Sequence, residues 1–181
     1  MRLEPWTPIL AVRDSQLVHA IEQRRGGELL NLDRMLLWSE PLARGWNVYL
    51  RALRQDLALS PFVRELAICV VAKLTGAAYE YHHHAPELKK AGASDAQLAA
   101  LEDPDAAAAT DLFNDLQQAV IRFAIASTRE VRIPDGVFDS LKRQMSETEL
   151  VELVAVTAAY NMVARFLVAL QVTPEVPPAL D

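Results

Sequence analysis

The sequence predicts an all-α protein, and three observations carry that expectation. Strict alternation of apolar and polar residues, the mark of a half-buried strand, is nowhere sustained. Apolar residues instead recur at helical spacing, as at Leu42, Trp46, Tyr49, Leu50 and Leu53. Helix boundaries are also written out. Ser60-Pro61 opens one segment and Gly76 closes it, while Ser94 with Gln97 and Ser146 with Glu149 form capping boxes.

Taken in order, residues 1–13 hold clusters of apolar residues and proline and read as an extended arm. Asp14 or Ser15 caps a short helix that ends near Arg25, before Gly26-Gly27. Residues 28–38 form a second helical stretch, and Pro41 opens a third. "SPFVRELAICVVAKLTG", residues 60–76, is apolar on nearly every side and is predicted to run through the core. The next helix spans Ala77 to about Ala91 and stops at Gly92. Ser94 starts a short helix, broken before Pro104. Residues 105–128 are expected as one long helix with Leu112, Leu116, Ala119, Val120 and Phe123 on one face. A loop around Pro134-Asp135-Gly136 follows. The last helix opens at Ser146 and reaches about Leu170; Glu152, Asn161 and Arg165 interrupt its apolar run, so it reads as a buried helix and not a membrane span. The proline-rich tail "TPEVPPALD" is expected to dock loosely or on a neighbour. No domain boundary stands out. One domain over residues 1–181 is expected, with 1–40 as arm and extra helices and 41–171 as the core.

The 181 residues suffice for a real core, and 51% are apolar. A net charge of −6, spread along the chain, argues against a nucleic-acid partner. The single cysteine, Cys69, excludes an internal disulfide, a CxxC redox pair and a thiolate zinc cluster. It lies inside the apolar helix and reads as a buried small hydrophobe. Trp6, Trp38 and Trp46 are expected as core or subunit contacts. "MRLEPWTPIL" lacks a basic leader followed by an apolar core, so no signal peptide and a cytoplasmic setting are expected. With no glycine-rich phosphate loop, nucleophile elbow or dinucleotide fingerprint, no cofactor is expected.

Chemistry concentrates in "LTGAAYEYHHHAPELKKAG", residues 74–92. Two helices hinged at Gly76 form an antiparallel hairpin. Glu65 precedes the glycine by eleven residues and His84 follows it by eight. At a rise of ~1.5 Å per residue, the two meet within roughly one turn of the same level. Glu80 and His84 are four apart and share a face. Glu65, Glu80 and His84 are thus candidate proton-transfer residues, since imidazole titrates near neutral pH and burial raises a carboxylate toward it. The plain alternative is a polar helix face with an intrahelical Glu–His bond. Tyr79 and Tyr81 flank Glu80, but successive residues diverge by ~100°, so at most one shares its face. The same divergence stops the three histidines from chelating one ion. Glu80 and His84 supply two ligands at most, and no metal is expected. His82 and His83 read as surface or interface residues, with His83 kept as a candidate substrate contact beside Tyr79 and Tyr81. Asn161 and Arg165, four apart on the last helix, either hold an anionic substrate or form a structural polar network.

"RELAICVVAKLTGAAYEYHHHAPELKKAGAS" resembles the core of the carboxymuconolactone decarboxylase family, which includes the AhpD-type alkylhydroperoxidases. The family pattern is a glutamate, a Leu-x-Gly turn, two functional positions three apart, and a histidine four further on. Here these fall on Glu65, Leu74 to Gly76, Ala77, Glu80 and His84. "SETELVELVAVTAAYNMVARFLVAL" resembles the final helix of longer members, so the likeness covers about 40–171. The resemblance implies an AhpD-like helical bundle, trimeric or hexameric assembly, and active sites near subunit contacts. In the peroxidase branch the two positions three apart are cysteines, whereas here they are Ala77 and Glu80. A thiol peroxide cycle needs both thiols, so the resemblance is to the decarboxylase branch. It implies lyase chemistry of the kind used in aromatic-compound catabolism.

The leading expectation is a cofactor-free decarboxylase or lyase-like enzyme acting on a small cyclic or unsaturated organic acid. His84 is its general acid or base, Glu80 orients it or shares its proton, and Glu65 is a second acid–base group or a structural partner. The alternatives are a non-catalytic small-molecule-binding oligomer, residual peroxidase activity, and a metal-dependent hydrolase.

Overall fold

The computed structural model describes residues 1–175; the rest of the proline-rich tail, 176–181, lies outside the described residues. Ten α-helices and no strand occur among the described residues. By their contacts the residues group into two compact units.

One unit comprises residues 1–56 and the chain from Ala169. Its helices are α1 (Ser15–Arg25), α2 (Asn31–Leu36) and α3 (Glu40–Gln55). Asp14 caps α1 by accepting from the Gln16 amide, and Gly26 ends it in the left-handed conformation, φ 88°. Residues 1–13 carry no helix. They are pinned by Trp6, which is buried, donates from Nε1 to the Ala11 carbonyl, and accepts at its own carbonyl from Arg34. Trp46 is also buried, whereas Trp38 is 39% exposed. Asn31 ties down the C-terminal chain by donating to the Thr173 carbonyl and to Glu175. α3 groups with these helices, although the family-like stretch was expected to begin with it.

The other unit, residues 57–168, contains α4 (Pro61–Thr75), α5 (Ala78–Lys90), α6 (Asp95–Ala100), α7 (Pro104–Ala107), α8 (Asp115–Arg129), α9 (Asp135–Lys142) and most of α10 (Glu147–Leu170). α4 is its axis. The Ser60 hydroxyl caps it by accepting from the Val63 amide, and Pro61 presets its first turn. Leu66 to Val71 are at most 1% exposed, as an all-round apolar helix requires. α4 packs along α5 on one side and α8 on another. Gly76, φ 67°, makes the turn between α4 and α5 in a conformation that a side chain would strain.

Two expectations are corrected here. Residues 105–128 do not form one helix. Asp103 caps the single turn of α7, and the chain turns at 108–114 before α8. Asn114 and Gln117 then form a reciprocal capping box that fixes the start of α8. Phe113 is buried in the turn, while Leu112, expected on the helix face, is 47% exposed. The expected loop around Pro134 is short, and Asp135 and Gly136 already belong to α9, where Leu141 is fully buried.

α10 begins at the Ser146–Glu149 capping box, as its spacing predicts. By length and composition it is apolar enough to cross a membrane, with half of its most apolar window buried inside the protein. Leu153, Val156, Tyr160, Val163 and Leu167 recur at helical spacing and face the core.

Candidate active site

Glu65 comes from α4, and Glu80 and His84 come from α5. The tight turn at Gly76 folds the second helix back on the first and brings the three to one level. Each is buried, at 4%, 2% and 6% exposed respectively. His84 Nδ1 lies 2.6 Å from Glu65 Oε2. On the far side of the ring, His84 Nε2 lies 3.4 Å from Glu80 Oε2. That contact is too long and poorly aligned for a hydrogen bond, and Glu80 Oε2, although buried, has no hydrogen-bond partner. The Tyr160 ring on α10 meets the imidazole edge-on, centroids 5.0 Å apart. The imidazole therefore has one side locked and one side facing an unsatisfied carboxylate.

Electrostatics assign the protons. Burial pushes the Glu65 pKa up, but the His84 hydrogen bond and charge, with help from Arg64, outweigh it and hold the carboxyl below its ordinary value. Arg64 Nε donates to Glu65 Oε1 at 3.0 Å. An ionised Glu65 only accepts, so Nδ1 of His84 is the donor. The lone pair or second proton then sits at Nε2, toward Glu80.

The other sequence-predicted residues occupy different surroundings. Tyr79 is buried and its ring lies 4.5 Å from that of His83, centroid to centroid. His82 meets His83 edge-on and is itself exposed. The Tyr81 hydroxyl donates to the Leu98 carbonyl, and the Lys73 ammonium sits 3.6 Å over its ring. Burial, with Cys69 and Glu102, pushes the Tyr81 phenol up to about 12, so it stays protonated at neutral pH. Tyr81 lines a separate open hollow of about 350 Å³ with Lys73, Gly76 and His82. Asn161 is buried and donates to Thr128 Oγ1 and the Thr157 carbonyl. Arg165 Nη1 donates to the carbonyl and Oδ1 of Asn161, both at 2.9 Å. These bonds make the polar network that was one of the two readings of this pair.

Arg64 and Tyr160 were not foreseen. Arg64 had a faint signal, as one of few charges in an otherwise apolar helix. Tyr160 had none, because only the tertiary fold brings α10 to His84.

Among the described residues no group of three or more His, Cys, Asp or Glu is arranged to hold a metal ion. Cys69 is fully buried, and burial, with the charges of Glu65 and Glu80, pushes its thiol well above the ordinary value. A maleimide or disulfide reagent is accordingly expected to leave the native chain unlabelled and to take up one equivalent in denaturant. Rapid native labelling would contradict this burial.

Residues 40–124 match the model of the carboxymuconolactone decarboxylase family. No curated protein matches the sequence. Several solved structures share the fold. An uncharacterised peroxidase-related protein from Silicibacter sp. TM1040 is 19% identical at a TM-score of 0.76, covering 96% of this chain and 95% of that one. The alkylhydroperoxidase AhpD core of a peroxidase-related protein from Ralstonia eutropha JMP134 is 16% identical at 0.80, with coverages of 96% and 92%. The debrominase Bmp8, as a cysteine-to-alanine variant in complex with 2,3,4-tribromopyrrole, is 20% identical at 0.73, with coverages of 95% and 90%. At such identities these likenesses establish the AhpD-like helical fold. The matched span holds the Glu65, Gly76 and His84 spacing on which the family resemblance rests, with Ala77 and Glu80 at its two positions three apart.

Proposed function

We propose that the protein is a cofactor-free acid–base enzyme that decarboxylates, or performs a related lyase reaction on, a small cyclic or unsaturated organic acid. The observation that carries this reading is the buried line of Glu65, His84 and Glu80, with the imidazole held at Nδ1 and open at Nε2. When the carbon–carbon bond to a departing carboxylate breaks, its electron pair passes into an adjacent unsaturated or carbonyl group. Carbon dioxide leaves, and the proton on His84 Nε2 moves to carbon. The buried Glu65 carboxylate stabilises the charged ring before that transfer, and Glu80 is placed to return a proton to Nε2 afterwards. Low exposure strengthens each of these interactions.

A thiol peroxidase reading has little support, since the lone thiol is buried and held protonated. The tribromopyrrole held by the debrominase is a small unsaturated ring, the size class proposed here.

The test is release of carbon dioxide from a panel of unsaturated ring acids and lactone acids. For whichever substrate turns over, His84→Gln is expected to lower kcat by about 10²–10⁴-fold with unchanged helical circular dichroism. Turnover at the wild-type rate in that variant removes the imidazole from the mechanism.

A further inference from the structure

Glu65 is held ionised at the site, so a further negative charge brought by an organic acid is repelled unless a cation receives it. Lys73 is engaged with Glu102 and the Tyr81 ring, and Arg165 with Asn161. Arg64 differs from both. It contacts the site directly through Glu65, and its side chain is only 15% exposed. Yet its guanidinium uses one nitrogen, Nε, and donates no other hydrogen bond among the described residues. A guanidinium presents five N–H donors in a planar fork. With Nε on Glu65, the end formed by the two Nη groups remains open, and that end matches a carboxylate in bidentate fashion. Neither Nη group is among the buried unpartnered atoms, so the open end of the fork reaches solvent and is accessible to an incoming carboxylate.

We propose that Arg64 is the substrate's carboxylate anchor, taking a ring-borne carboxylate on its two Nη groups while Nε keeps Glu65 against His84. This assigns to Arg64 the anion-binding role that spacing alone suggested for Arg165. It rests on the acid–base reading for the identity of the site, but it is a statement about binding and is tested without turnover.

The probes are 2-furoate and 2-furamide, which share a small unsaturated ring and differ in charge, titrated calorimetrically against the full chain. Wild type is expected to bind the acid at least about tenfold tighter than the amide, the scale of a charge-assisted pair. Arg64→Gln should erase that preference by weakening the acid alone, and Arg165→Gln should keep it. In wild type, furoate should also shift the Arg64 guanidinium NMR resonance, assigned by its loss in Arg64→Lys. The proposal is overturned if wild type does not prefer the acid, if Arg64→Gln retains the preference, or if Arg165→Gln removes it. An unmoved Arg64 resonance in furoate-bound wild type overturns it even where Arg64→Gln fails to fold. Carbon dioxide release reports on His84 and furoate affinity on Arg64, so either reading can fail while the other stands.

Discussion

Glu65→Ala is expected to lower unfolding free energy by about 3 kcal/mol at neutral pH and to abolish turnover. Glu65 is the acceptor for both Arg64 and His84, and removing one member of a buried charge cluster strands the others. The expected loss sits at the low end for such changes because Arg64 retains some contact with solvent. The pH dependence follows from the sign of the shift. The folded pKa of Glu65 lies below its ordinary value of 4.5. The stabilisation is therefore full above that unfolded value, and it disappears as pH falls through the folded value. Urea unfolding of wild type and Glu65→Ala across pH should show a constant gap near neutrality that narrows on acidification. A gap that persists unchanged into strong acid would contradict the assignment of charge to Glu65.

Asp33→Ala is expected to destabilise the protein by about 3–5 kcal/mol, the cost of breaking a buried ion cluster by removing one partner. Asp33 is 1% exposed. It accepts from Arg25 Nε at 2.8 Å, from Arg25 Nη2 at 3.1 Å, from Arg24 Nη2 at 3.2 Å and from the Leu30 amide at 3.1 Å. The carboxylate thus ends α1 and starts α2 with one group: it holds the two arginines of the last turn of α1 and closes the first turn of α2. Alanine leaves two guanidinium groups, 9% and 11% exposed, without that carboxylate. Chemical denaturation measures the loss, and a change within about 0.5 kcal/mol of wild type would place Asp33 among ordinary surface positions.

Much of this fold was legible because its helix ends carry local chemistry. Ser60, Ser94 and Ser146 cap where their spacing says they should, since a hydroxyl accepting from an amide three residues on is a local contact. The α7–α8 break was hidden because the alanines at 106–109 read as continuous helix, while the Asn114–Gln117 box competes with the apolar periodicity around it. α9 was hidden because Asp-Gly reads as a turn, and the i, i+4 pair of Val137 and Leu141 is too short a signal to override it. The catalytic candidates were legible for a geometric reason: Glu65, Glu80 and His84 lie close in sequence around one glycine turn, so helical rise alone places them. Tyr160 depends on how α10 packs, and Arg64 on which way a long side chain bends. Neither is encoded in spacing.

The central claim is that Glu65 fixes the His84 proton at Nδ1 and leaves Nε2 as the working nitrogen. Long-range proton–nitrogen NMR of the imidazole, on the high-pH plateau where the ring is neutral, tests it directly. The account predicts a protonated Nδ1 and an unprotonated Nε2 in wild type, with that tautomer preference lost in Glu65→Ala. A neutral His84 protonated at Nε2, or a tautomer unmoved by loss of Glu65, would contradict it.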